Sequence, residues 1–419
     1  MIDLKTVVCI MVLGILMFSA KAYADYSVSL LLNPQYYSYS PDTLFDVPDS
    51  SIEKPKLTSE QTIELTGGIQ TSSTTYYYLL STINQLSDDG SSDTEFNVNA
   101  LFLSHGLNSW ELTLGRRIST WGIGYGFRPL DVVQQHDQQT TSLQSITGKN
   151  QFALEYFSDM SSWSLLWVNP LQNKDSDDNK SNHQLESVVA RYATSRENQD
   201  LHALLRYNNE NKVQLGLGGI QILTDAISAH GSLLLSQRYQ KQIHSLTGQN
   251  ENFLTTRNPF ITKRYNNGLQ SLIGLNWSLL SKHNIIMEYW YNDMAYTRQQ
   301  WNALFELTKA QRALLNQGLA PAASVHDNIA WSASALQTQS LAQHNMMFRW
   351  SYDAADWTPT VNTLMSIDDG SSITTLSAIR RYHLFKFEAG LRTFSGHNDT
   401  VYGGLLLKKI MYLTLSSEF

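Results

Sequence analysis

The last residues of the chain alternate. Met411, Leu413, Leu415 and Phe419 fall on one parity and Tyr412, Thr414, Ser416 and Glu418 on the other, with Ser417 the one lapse on the apolar side. Successive residues of a strand point to opposite faces, so 410–419 is expected to form a final strand with one greasy and one polar face. A soluble domain rarely ends in mid-strand on an aromatic. Together with an export signal, this pattern points to a sheet that closes on itself in a membrane, with Phe419 as its assembly signal.

The start of the chain supplies that signal. Met1 to Ala24 carries Lys5, an apolar run from Val7 to Ala20, and Ala22-Tyr23-Ala24 before Asp25, the layout of a cleaved secretory leader. Removing 24 of 419 residues leaves 395, without cysteine, since Cys9 lies in the leader. Disulfide frameworks and thiol chemistry are therefore excluded. The remainder has no uninterrupted apolar run of the ~18 residues a spanning helix needs. Only a closed barrel could then carry it through a bilayer. Charged residues are 16% of the chain, against about 25% in soluble domains. The 30 basic and 37 acidic residues leave no basic footprint for nucleic acid.

Period-two runs recur along the chain. Phe96, Val98, Ala100 and Phe102 alternate with Glu95, Asn97 and Asn99, and Phe385, Phe387, Ala389 and Leu391 with Lys386, Glu388, Gly390 and Arg392. Asp88-Asp89-Gly90, Asn266-Asn267-Gly268 and Asp368-Asp369-Gly370 have hairpin chemistry. The fold class is all-β: a transmembrane antiparallel β-barrel of about 16–18 strands with an inserted loop helix. The expected domains are a signal peptide at 1–24, an N-terminal periplasmic or lumen segment at 25–61 and the barrel at 62–419. Pro34, Pro41, Pro48 and Pro55 motivate the middle one, because proline interrupts strand ladders. Two further stretches leave the pattern. The glutamine-rich 129–150 is expected to fold into the lumen, and 298–315 takes a helical period through Trp301, Leu304, Phe305, Thr308 and Leu315, ending at Gly318 and Pro321.

The densest local signal runs from Gly115 through Arg116, Arg117, Trp121, Gly122, Gly124, Gly126 and Arg128 to Pro129 and Asp131. Its Gly-Arg, Trp-Gly and Pro-x-Asp elements resemble a pattern of outer-membrane porin-like barrels, including the domain-of-unknown-function 1302 group. The matching positions are Gly115, Arg116, Trp121, Gly122, Pro129 and Asp131; Arg117 and Arg128 depart from the glutamine and asparagine usual there. The resemblance covers about 17 residues and implies a barrel without naming a solute. Physically the segment reads as a strand whose end bends inward, with Arg116, Arg117, Arg128 and Asp131 either forming a pore constriction or holding a packed turn.

On the polar parity, Glu64, Glu111, Arg206, Glu288, Arg349, Glu388 and Arg392 are expected to line the lumen, with signs too evenly mixed to assign ion selectivity. His230 and Ser232 have the His-x-Ser spacing of a lipid-hydrolysing barrel, but Ile227, Ala229, Leu233 and Leu235 take the greasy parity, so both would face the lumen. Asp175, Asp177 and Asp178 read as a solvated loop rather than a calcium site. No metal and no cofactor are called for. The expected function is a porin-like outer-membrane channel for small solutes; the alternatives are an export or assembly component docking periplasmic partners through 25–61, and a barrel enzyme acting on lipid. The expected surroundings are Gram-negative outer-membrane lipid and lipopolysaccharide, with the barrel-assembly machinery as the partner in biogenesis.

Overall fold

Alternation builds the wall. The computed structural model describes residues 23–40, 43–46, 54–134, 146–170, 185–249, 253–338, 340–354 and 356–419. The strands begin with β1 (Tyr23–Tyr39), β2 (Leu57–Gln70), β3 (Thr74–Ser87), β4 (Ser92–Leu107), β5 (Trp110–Arg117) and β6 (Lys149–Phe157). They continue with β7 (Ser161–Val168), β8 (Ser187–Arg196), β9 (Gln199–Asn208), β10 (Lys212–Ile222), β11 (Ile227–His244) and β12 (Phe260–Ser278). The last are β13 (His283–Asn292), β14 (His344–Tyr352), β15 (Trp357–Ser366), β16 (Ser372–Tyr382), β17 (Phe385–Ser395) and β18 (Leu407–Glu418). Each pairs antiparallel with its sequence neighbours and β1 pairs with β18, closing an 18-stranded barrel without an edge.

The closure corrects the expected N-terminal segment. Most of 25–61 is wall: β1 bridges β18 and β2, with Leu30 opposite both Ser417 and Ile63. Pro34 is tolerated because it falls in a break of the β1–β18 ladder, between Leu32↔Leu415 and Gln35↔Tyr412. The leader up to residue 22 lies outside the described residues, while Tyr23 and Ala24 already belong to β1. Phe419 follows β18, and its N–H and C=O both pair with Val28 at 3.0 Å. Deleting Phe419 is expected to lower insertion into the membrane; unchanged heat-modifiable mobility and yield on gels would show that this last pair is dispensable.

The two rims differ. On one, the connections are 71–73, 108–109, 158–160, 197–198, 223–226, 279–282, 353–356 and 383–384; on the other are 118–148, 245–259 and 293–343. Short turns on one rim and long loops on the other are the mark of outer-membrane barrels. Trp110, Trp163, Trp277, Trp350 and Trp357 stand on the outer face near the short-turn rim, as an interfacial aromatic girdle requires. Beyond them Leu112, Leu217, Leu233, Leu275, Phe348 and Leu413 make an exposed apolar band. One phase expectation fails: opposite Leu79 and Leu80 the register skips Asn99, so Ala100 and Phe102 turn inward while Phe96 and Val98 stay outward.

The helical expectation holds and extends. α1 (Arg298–Asn316) starts with a Thr297–Gln300 capping box and buries Trp301, Leu304, Phe305 and Thr308. A second helix, α2 (Ala322–Ser334), follows Pro321. They share an apolar core at the long-loop rim with Phe45, Leu341, Val401 and Tyr402, and this core reaches the ends of the strands at Ile373, Leu364 and Phe394. Arg312 donates to the carbonyl oxygens of Thr43 and Asp46 at 2.9 and 2.8 Å, tying α1 to the first long loop. Burial raises the Tyr402 hydroxyl above the usual tyrosine range. Hydrogen bonds to Glu306 and Asp399 hold the exposed Lys309 ammonium above the ordinary lysine value. The long-loop rim thus carries a packed cap rather than separate loops.

Candidate functional site: a segment folded into the lumen

At Gly115 the chain prepares to leave the wall. Its φ is +129°, and a Cβ there would strike the backbone of Leu101 and Phe102, so only glycine fits this end of β5. After Arg117 the strand stops and 118–134 runs along the inner face of the barrel. Leu130, Val132 and Val133 are buried against Ala153, Leu166, Val168, Val189, Leu204 and Leu234, which come from β6 to β9 and β11. Burying one leucine fully stabilises by about 1.5–3 kcal/mol. On β10, side chains at Gly216 and Gly218 would meet Leu130, each Cβ only 2.7 Å from a Leu130 methyl carbon. The glycines that blur the alternation of 213–222 therefore make room for the segment.

Further on, Phe127 stacks on Trp290 at 5.8 Å and packs with Leu272, Ile286 and Met347 of β12 to β14. Two carboxylates hold the backbone between these anchors. Asp131, 1% exposed, accepts from the N–H groups of Trp121 and Gly122 at 2.5 and 2.6 Å. Glu288, 2% exposed, accepts from Tyr125 and Gly126 at 2.8 and 2.7 Å. Charge-assisted bonds of this kind contribute about 1.5–3 kcal/mol each. Glu288 also meets His230 Nε2 at 2.7 Å. The motif's glycines let consecutive N–H groups converge on one anion, the geometry of a backbone nest.

The expected constriction set divides. Arg128 and Asp131 lie together on the segment, Nη1 to Oδ2 3.9 Å, and Arg128 Nε donates to the Gly124 carbonyl at 2.8 Å. Arg117 points inward from the wall and pairs with Glu155 at 2.7 Å. Arg116 is a correction: it stands on the outward parity with Leu112 and Leu114 and donates to the Val98 carbonyl at 3.0 Å. An arginine one residue from Arg117 on a strand must face the other way. Of the expected lumen charges, Glu64 shares the face of the buried Thr62, and Arg349 that of the buried Met347. Glu111 accepts from Ser104, and Arg206 donates to Gln214 at 3.1 Å. Glu388 accepts from Tyr412 at 3.0 Å, and Arg392 donates to Thr375 at 3.0 Å. These contacts lie on the inner face.

Sequence reading missed the aromatic and glycine partners of the segment, Trp290, Gly216, Gly218 and Gly274. The one available signal was negative: glycines where the alternation wants side chains. The glutamine-rich 135–145 and the acidic loop at 175–178 lie outside the described residues. Among the described residues no group of His, Cys, Asp and Glu is arranged to hold a metal ion. Between β2 to β4 and Thr147 of the β5–β6 connection, a hollow of about 170 Å³ is lined by Glu60, Gln85, Asp93, Glu95 and Asn97.

No protein-family model matches this sequence, and neither does any curated protein. Solved structures do. Pseudomonas aeruginosa OccK5 (OpdH) superposes with a TM-score of 0.54 at 9% identity, over 94% of this chain and 98% of its own. Pseudomonas aeruginosa OprD gives 0.52 at 10%, over 96% and 97%, and OccK1 (OpdK) of the same organism 0.52 at 10%, over 94% and 98%. At such identities the likeness is one of fold: this chain is a closed 18-stranded antiparallel β-barrel, similar in architecture to OccK5, OprD and OccK1.

Proposed function

We propose that the chain is a passive channel for small polar solutes in the outer membrane of a Gram-negative bacterium, exported by the leader at 1–24 and seated among lipid and lipopolysaccharide after assembly by the barrel machinery. The observation that carries this reading is the segment 118–134, latched by buried contacts to the inner wall of the barrel, where it would narrow the path. The Occ and OprD fold neighbours support the reading. We assign Gly115, Trp121, Gly122 and Asp131 as the working positions of the motif that resembles the domain-of-unknown-function 1302 group, because the first bends the strand and the others close the nest.

Lipid hydrolysis has less support: His230 Nε2 is engaged by Glu288 and Ser232 lies buried on the inner face, away from the bilayer. Docking through 25–61 has less support, since 25–39 and 57–61 are taken up by the wall strands β1 and β2. The test is conductance of the purified barrel in planar bilayers. Arg128, whose side chain is about a third exposed, is expected to repel cations. Arg128→Ala should therefore move the reversal potential toward cation selectivity under a salt gradient; a wild-type barrel that passes no current sinks the channel reading.

A further inference from the structure

Glu288 and His230 belong to β13 and β11, which are separated by β12. The register aligns them with one residue between: His230 is opposite Gly274, and Gly274 is opposite Glu288. A Cβ on residue 274 would collide with the His230 ring and crowd Glu288 Cγ. Next-nearest strands stand roughly 9.5 Å apart, so two inward side chains meet across a third strand only where that strand presents none. The glycine is thus the condition for the pair. Glu288 in turn reaches the lumen segment through both oxygens, while Tyr125 covers the His230 ring edge-on at 6.3 Å.

The segment is consequently held at two places on the wall. Its root, Leu130 to Val133, is fixed by apolar burial on β6 to β11. Its tip, Tyr125 to Phe127, is held by Glu288 at Tyr125 and Gly126 and by the packing of Phe127 on Leu272, Ile286, Trp290 and Met347. From these contacts we infer that Glu288 is the positioning residue of the channel: aligned by His230 through the Gly274 gap, it pins the tip to the β12–β14 wall and thereby sets the bore. With the clasp removed, the backbone at Tyr125 and Gly126 loosens while Phe127 and the root stay packed. The effect on the bore rests on the channel reading given above, whereas the clasp itself does not.

Glu288→Gln keeps the side-chain size but turns one acceptor oxygen into a donor, so one of the two segment N–H groups loses its partner. Gly274→Ala disturbs the clasp from the other side without changing charge. Each is compared with the parent in two measurements. One uses a nitroxide on Tyr125→Cys, in a chain whose sole cysteine, Cys9, is replaced by serine; the other records single channels in planar bilayers. The expected result is a larger mobile component in the nitroxide spectrum and the appearance of a second, larger conductance level in both variants. An unchanged spectrum with a single unchanged level in folded protein overturns the inference, as does lower folded yield with no change at position 125. Increased mobility in barrels that never conduct, the parent included, supports the clasp and overturns the channel. Should Glu288→Gln fail to assemble, Gly274→Ala decides alone.

Discussion

Leu217→Arg is expected to cost about 2–4 kcal/mol of folding stability, whereas Phe387→Arg costs roughly 0–1 kcal/mol. Both positions face outward. Leu217 lies in the middle of β10, 60% exposed, with Leu215 on the same face and Leu233 opposite it on β11. Phe387 lies beside Phe385 at the short-turn end of β17, close to the level of the tryptophan girdle. An arginine at the bilayer centre cannot be hydrated, while one near the rim can reach the headgroups. Denaturant titration of each variant refolded into lipid vesicles reads the difference. Equal costs at the two sites would mean that the bilayer does not sit where the girdle places it.

Excising 119–133 is expected to give the largest rise in conductance of any loop removal. The barrel should survive, because β5 and β6 stay paired from Trp110↔Tyr156 to Arg117↔Lys149 whatever joins them. The cost is the burial of Leu130, Val132 and Val133 and the bonds to Asp131 and Glu288, all of which serve the segment itself. Trimming the helical cap instead should change conductance less, since α1 and α2 pack at the long-loop rim, on loop residues such as Phe45 and Tyr402 and on strand ends such as Ile373 and Phe394, rather than at mid-barrel. Single-channel recording with polymers of graded size separates the cases. Conductance and size limit both unchanged after the excision would show that 118–134 does not narrow the path. The deletion lies upstream of the glutamine-rich stretch because the anchored residues are there.

Much of the wall was legible because a strand writes its two faces into alternate positions. β17 and β18 follow the predicted parity residue by residue, and α1 follows the 3.6-residue period of its apolar face. The misreadings share a cause. β1 hid behind Pro34, whose missing N–H matters only if a partner is there to accept it, and the ladder happens to be broken at that place. β4 changed phase at Asn99 because one unpaired residue rotates everything after it by half a turn.

The candidate site was legible in one half only. Gly115, Gly122, Arg128 and Asp131 are neighbours in sequence, so their turn could be inferred from local chemistry: glycines that free the backbone and an aspartate to gather the N–H groups. Their wall partners, His230, Gly274, Glu288 and Trp290, are spread over three strands about a hundred residues or more away. The sequence alone determined that this chain forms a closed alternating sheet with a bend after β5. Which glycines are gaps, which carboxylate reaches the segment and which arginine faces outward were decided by ring closure and register, since only these set the depth and angle at which distant side chains meet.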